Sequence, residues 1–220
     1  MEKSSISKKL EDSLSKRILL LDGAYGTAIQ QYQLKEDDFR GSLLAKHSRA
    51  LLGNNDLLIL TKPDVVEEIH QSYLEAGCDI LSTNTFSSTK IAQSDFDTED
   101  LCKELNFQGA QLARRVADRF SSEENPIFVA GSLGPTNRTA SLSPDVNRPG
   151  FRNISFDDLY ESYFEAMHAL VDWGVDIFLI ETIFDTLNAK AAIAAAHQVN
   201  QSFTEPKPII ISGTVRDASG

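Results

Sequence analysis

Two apolar runs of this chain each end in a carboxylate. Leu19-Leu20-Leu21 runs into Asp22, and Phe178-Leu179-Ile180 runs into Glu181. If both runs are strands of one parallel sheet, both acids stand at its C-terminal edge, where β/α barrels build their active sites. Either acid alone reads equally well as a cap for the turn that follows it. Two on one rim favour a site. Behind Asp22 comes Gly23-Ala24-Tyr25-Gly26-Thr27, a glycine-bearing turn that opens a helix and whose free N–H groups could receive an anion. It is neither a P-loop nor a G-x-G-x-x-G fingerprint, which leaves nucleotide binding with little support. After another apolar run, Ser82-Thr83-Asn84-Thr85-Phe86 adds hydroxyl and amide groups, residue types that also serve as ordinary caps. Acids that hold an ammonium and N–H groups that hold a carboxylate suit a zwitterion. A small amino acid is the favoured ligand, although a sugar acid or another amine satisfies the same rim.

The remaining chemistry-bearing residues point elsewhere. Cys78 and Cys102, the two cysteines, have no C-x-x-C spacing and fit packed thiols in a reducing cytoplasm rather than a disulfide scaffold. His47, His70, His168 and His197 form no H-x-x-H-like set, and their helical settings point to surface or packing roles. Trp173 and the phenylalanines read as core.

The elements that must position the rim follow from hydrophobic patterning. Apolar runs at Ile18 to Leu21, Cys78 to Leu81, Ile127 to Ala130, Val175 to Ile180 and Ile209 to Ile211 are nearly continuous rather than alternating, as in parallel strands buried on both faces. Segments of helical period separate them. Pro63 suits a helix start, with Val66, Ile69 and Tyr73 on one face and Gly77 as the stop. Ser155 and Asp158 have capping-box spacing, and Leu159, Tyr163, Ala166 and Leu170 form a stripe that ends at Gly174. The joints Gly77-Cys78-Asp79-Ile80 and Gly174-Val175-Asp176-Ile177 resemble each other, a faint repeat of one helix-to-strand unit. Ile6, Leu10 and Leu14 predict a short amphipathic helix laid against the body of the domain. Lys35 to Asp56 and Gly131 to Asn153 read as long functional loops.

Bulk properties narrow the partners. A chain of 220 residues, 41% hydrophobic, can bury a substantial single core. Its formal charge of -11 repels phosphate backbones and anionic lipid, which disfavours nucleic-acid and membrane-surface binding. No stretch approaches the roughly 18 to 20 apolar residues that span a bilayer. The opening segment mixes Lys3, Lys8 and Lys9 with Glu2, Glu11 and Asp12 and lacks a signal-peptide core, so a cytoplasmic location is expected.

Six segments occur in an order that resembles the homocysteine-binding module of cobalamin-dependent methionine synthases, over about residues 17 to 220. They are Leu21 to Thr27, Gly53-Asn54-Asn55-Asp56, Thr83-Asn84-Thr85-Phe86, Gly134 to Ala140, Ser143 to Asn147 and Ile180 to Asn188. The fourth and fifth separate it from betaine- and S-methylmethionine-dependent relatives that share the barrel. The resemblance implies a TIM-type (β/α)8 barrel, here with about its first five β/α units in residues 17–220; the helical segment read from periodicity occupies residues 1–16. It implies that Asp22 and Glu181 engage the ammonium of L-homocysteine, that Gly23, Ala24, Tyr25, Gly26 and Thr27 bind its carboxylate, and that Thr83, Asn84 and Thr85 line the neighbouring rim. It further implies methyl transfer from methylcobalamin, ultimately from methyltetrahydrofolate, to a homocysteine thiol bound on zinc, with cobalamin- and folate-binding modules as partners. The family's zinc-binding cysteines fall beyond Gly220. This chain by itself is therefore expected to hold neither zinc nor cobalamin tightly and to form an incomplete barrel, and an amino-acid-binding module without catalysis is the alternative reading. The family commonly carries Gly-Gly where this chain has Gly23-Ala24; were positive φ required there, Ala24 would be strained.

Overall fold

The computed structural model describes residues 6–215. In chain order the elements are α1 (Ile6–Lys16), α2 (Tyr25–Gln30), α3 (Glu36–Arg40), α4 (Leu58–Thr61), α5 (Pro63–Glu75), β1 (Ile80–Ser82), α6 (Lys90–Gln93), α7 (Cys102–Phe120), β2 (Phe128–Leu133), α8 (Phe156–Val171), β3 (Ile177–Ile183), α9 (Thr186–Asn200) and β4 (Ile209–Gly213). The strands form one parallel sheet in the order β1-β2-β3-β4, with Leu81 opposite Val129, Leu133 opposite Ile180 and Ile180 opposite Ile211. Sequential parallel strands joined through helices make a (β/α) sheet of barrel type.

Of the five strands expected, the described residues form four. The first run, Ile18 to Leu21, contributes a single parallel bridge from Leu21 to Ile80. Asp79 and Ile80 donate their N–H groups to the Leu20 carbonyl, and Asp22 N–H donates to Ile80. The run pairs on this side only among the described residues, and Ile18 stays 85% exposed, so neither a longer ladder nor burial holds it as a strand.

Period-two alternation divides the sheet between two cores. On one face Ile80, Phe128, Ala130, Ile177 and Leu179 gather around Leu10 of α1. On the other Leu81, Val129, Phe178 and Ile180 pack beneath α7, α8 and α9. α1 covers the described part of the segment read as helical over residues 1–16, of which residues 1–5 lie outside the described residues; Leu10 is buried, whereas Leu14 is more than half exposed and lies outside the packed stripe.

Local chemistry accounts for the element ends. Pro63 occupies the first turn of α5. Ser155 caps α8 in a reciprocal capping box with Asp158. Gly77 and Gly174 take φ of +96° and +81°, the left-handed turn that a β-carbon resists. The repeat after each glycine has a physical role. Asp79 accepts Leu20 N–H at 2.8 Å and binds Arg17; Asp176 accepts Val129 N–H at 2.8 Å and binds Arg114. Each aspartate therefore ties down the neighbouring backbone, the bridging run beside β1 in one case and the start of β2 in the other, and pairs with an arginine.

Two further expectations need correction. Lys35 to Asp56 is not all loop, because Glu36 opens α3 and accepts N–H groups of Leu51 and Leu52, folding the segment back on itself. Trp173 is 40% exposed rather than core. It follows α8 at the Gly174 turn and stacks edge-on against Phe107 on the outer surface.

Candidate active site

Residues of β1, β2 and β3 toward their C-terminal ends border a cavity of about 550 Å³. Asp22 reaches it from the bridge beside β1. Its Oδ2 accepts Ser82 N–H at 2.7 Å and the Tyr25 hydroxyl at 2.9 Å, and its Oδ1 accepts the Ser82 hydroxyl at 2.9 Å. Glu181 reaches it from β3, where the register slips between Ile180 and Ile183. Thr182, immediately after Glu181, has φ of +58°. A β-branched residue there is a backbone outlier of the kind that concentrates at functional sites. The bulge re-aims the strand so that Glu181 lines the cavity.

A closed ring of hydrogen bonds supports Glu181. Ser132 N–H donates to Thr83 Oγ1, Thr83 pairs with Thr85 at 2.6 Å, and Thr85 donates back to the Ser132 carbonyl. So held, Ser132 donates its hydroxyl to Glu181 Oε1 at 2.6 Å. The hydroxyls of Thr83 and Thr85 are thus used in tying β1 to β2. Thr83 and Asn84 line the cavity, and Asn84 donates to the Asn55 carbonyl; Thr85 lies behind the lining.

Of the turn after Asp22, Gly23, Ala24, Tyr25 and Gly26 line the cavity, while Thr27 does not. The N–H groups of Tyr25, Gly26 and Thr27 precede the first bond of α2, made by Ala28 to Ala24. Ala24 has φ of -72°, so its β-carbon is unstrained where the family commonly has glycine. Gly23 does face close approach: a β-carbon would lie 3.0 Å from the Tyr73 ring, whose hydroxyl donates to the Ala24 carbonyl.

The cavity also contains a carboxylate that sequence reasoning did not select. Asp56, 3% exposed, accepts Ser87 N–H and the Ser88 hydroxyl through one oxygen, both at 2.7 Å. Its only signal was membership of the Asn54-Asn55-Asp56 segment, with no strand before it to predict a rim position. Leu21, Phe86, Phe96 and Leu179 supply the apolar wall.

Electrostatics makes the cavity a receptor for positive charge. Burial pushes Asp22 up to about 6, with nearby Glu181 adding to the rise against the pull of its hydrogen bonds from Ser82 and Tyr25. Burial pushes Asp56 up to about 7 and raises Glu181, while Ser132 opposes the latter. Among the described lining residues none is Lys, Arg or His. A cation entering here relieves buried negative charge.

Metal ligation does not fit the described residues. They contain no group of three or more His, Cys, Asp or Glu able to hold an ion. Cys78 and Cys102 are buried free thiols, each pushed up to about 12 chiefly by burial, and neither lines the cavity. No described helix is long and apolar enough to cross a membrane.

Comparison with known proteins adds a family and a fold. The homocysteine S-methyltransferase family profile matches residues 19–220. Among solved structures, the homocysteine methyltransferase MmuM from Escherichia coli in its metallated form is 22% identical with a TM-score of 0.69, covering 94% of this chain and 67% of that one. Its oxidized form gives 22% and 0.67, covering 97% and 67%. The chain thus has the fold of about two thirds of a TIM-barrel-type protein.

Proposed function

Because the chain belongs to the homocysteine S-methyltransferase family, we propose that its rim cavity binds L-homocysteine for methyl transfer, as the homocysteine-binding portion of a cobalamin-dependent methionine synthase. One observation carries the substrate reading: Asp22 and Glu181 come from different elements to a single cavity whose described lining has no basic side chain. The homocysteine ammonium lies between these acids. Its charge stabilises both carboxylates in the ionised form that burial opposes, and each contact is a charge-assisted hydrogen bond. The N–H groups of the turn from Gly23 to Thr27 receive its carboxylate. Leu21, Phe86, Phe96 and Leu179 shield the methylene chain and exclude water from the thiol.

The support for methylcobalamin as donor is the sequence from Gly134 to Asn147. The first part of this segment is held over the rim end of β2: Asn188 donates to Thr136 and the Arg138 carbonyl and accepts Ala140 N–H, while Tyr163 donates to the Gly134 carbonyl. Zinc, implied by the same resemblance, finds no ligand set among the described residues, so this chain's part is to bind and orient the amino acid. Calorimetric titration with homocysteine tests the substrate reading. Asp22→Asn and Glu181→Gln should each weaken binding by about 1.5 to 3 kcal/mol, and unchanged affinity in both folded variants contradicts it. Methyl transfer by the protein from S-methylmethionine but not from methylcobalamin would contradict the donor reading.

A further inference from the structure

Behind Asp22 lies a buried histidine that sequence reasoning assigned to a surface or packing role. His70 of α5 is fully buried. Its Nδ1 is 2.6 Å from Tyr25 Oη, which also lies 2.9 Å from Asp22 Oδ2 and 3.1 Å from the Ser82 carbonyl oxygen. The rings of Tyr25 and His70 meet edge to face at 5.3 Å. His70 Nε2 is buried without a hydrogen-bond partner among the described residues.

Proton counting decides the arrangement. A phenol has one proton to donate, and two of its three neighbours, an ionised Asp22 and the Ser82 carbonyl, can only accept. If Nε2 carried the imidazole proton, a buried N–H would have no acceptor. Nδ1 would then compete with Asp22 for the Tyr25 proton. With the proton on Nδ1, His70 donates to Tyr25 Oη, Tyr25 donates to Asp22, and Nε2 is left as a bare lone pair, the cheaper group to bury unpaired. We propose that His70 is a positioning residue of the rim site, held neutral with its proton on Nδ1, which polarises Tyr25 and directs the Tyr25 proton onto the Asp22 carboxylate.

The inference rests on the homocysteine reading only in naming the ammonium as what Asp22 receives. The same network accommodates a protonated Asp22: its O–H then donates to Tyr25 Oη, Tyr25 turns its proton to the Ser82 carbonyl, and His70 keeps its bond. Burial holds His70 down to about 3, against the pull of Glu67 one turn earlier on α5, so it stays neutral while Asp22 titrates. The other titratable groups around Asp22 are Tyr25 from α2, Tyr73 from α5, Cys78 before β1 and Glu181 from β3. Of these Glu181 is the other carboxylate, and burial raises it as well.

The test uses the chain without ligand. Long-range proton–nitrogen correlation spectra of ¹⁵N-histidine-labelled protein read the tautomer of His70, and ¹³C spectra follow the Asp22 carboxyl against pH. The expected result is the Nδ1–H form, with the Asp22 midpoint moving up by roughly half a pH unit, about threefold in proton affinity, in His70→Phe. His70→Asn, whose amide N–H stands near the Nδ1 position, should restore it, and His70→Gln should not. An Nε2–H tautomer in the unaltered protein overturns the proposal even if His70→Phe does not fold. An unmoved Asp22 midpoint in a folded His70→Phe overturns it as well. The expected tautomer and midpoint shift in a protein that binds no homocysteine support the His70 role and count against the homocysteine reading alone.

Discussion

Replacing Asp56 with asparagine should stabilise the fold, and the gain should disappear in acid. Asp56 is buried at the rim with one oxygen accepting from Ser87 N–H and the Ser88 hydroxyl. An asparagine carbonyl can accept both bonds. The change therefore removes the buried charge without orphaning either donor. The carboxyl rises from 3.8 to about 7 on folding, chiefly through burial. At about 1.4 kcal/mol per pH unit, this corresponds to destabilisation on the order of 4 kcal/mol once the group is ionised in both states. The sign follows from proton uptake. The folded state binds the proton more tightly, so this penalty is full above the folded value, shrinks as pH falls and vanishes below 3.8. Asp56→Asn should thus raise the unfolding free energy by roughly 2 to 4 kcal/mol near pH 8 and by less than about 1 kcal/mol near pH 4. Denaturant unfolding of both proteins at the two pH values measures it. Other titrating groups cancel in the difference. A variant less stable than the parent near pH 8, or a gain equal at both pH values, would refute the reasoning.

Three other substitutions probe the parts that hold the site. Thr182→Gly relieves a positive-φ strain of about 1 to 3 kcal/mol at a chain-entropy cost of about 0.5 to 1 kcal/mol; thermal unfolding should show unchanged or higher stability while homocysteine affinity falls, and a clear loss of stability would count against strain at the bulge. Ser132→Ala removes the hydroxyl that opposes the rise of Glu181, so the acid-side midpoint for homocysteine binding should move to higher pH in calorimetry across a pH series, and an unmoved midpoint would show that this bond does not tune Glu181. Arg114→Met leaves Asp176 buried without its arginine and should lower stability in denaturant unfolding by about 3 to 5 kcal/mol, more than Arg17→Met at the equivalent but more exposed pair with Asp79; the reverse order would contradict the reading of the repeat.

The legible parts of the fold are those set by local chemistry. The Ser155–Asp158 box, Pro63 and the glycine stops at 77 and 174 each act within a few residues, so spacing alone placed them. The repeat around Asp79 and Asp176 could be seen but not understood, because its partners, Leu20 N–H and Val129 N–H, lie 59 and 47 residues away. The two rim acids were legible because each directly follows an apolar run in the sequence, although the first run forms only one bridge and β3 continues through Glu181 to Ile183. The twist that aims one of them was not: nothing in Glu181-Thr182 announces a positive φ, which tertiary contacts impose. Asp56 and His70 stayed hidden for a related reason. One sits in a segment without strand pattern, the other on a helix face that looks like packing, and both take their roles from residues brought in by the fold. The same holds for Thr83 and Thr85, whose hydroxyls looked like substrate contacts and are spent on the ring that holds Ser132.

The most direct test of the central claim is calorimetric comparison of homocysteine with 4-mercaptobutyrate, which keeps the thiol and carboxylate and lacks the ammonium. If Asp22 and Glu181 hold that ammonium, homocysteine should bind more tightly by at least about 1.5 kcal/mol per lost charge-assisted contact, and Glu181→Gln should narrow the difference. Equal affinity for the two compounds, or a preference for the one without the amine, would contradict it.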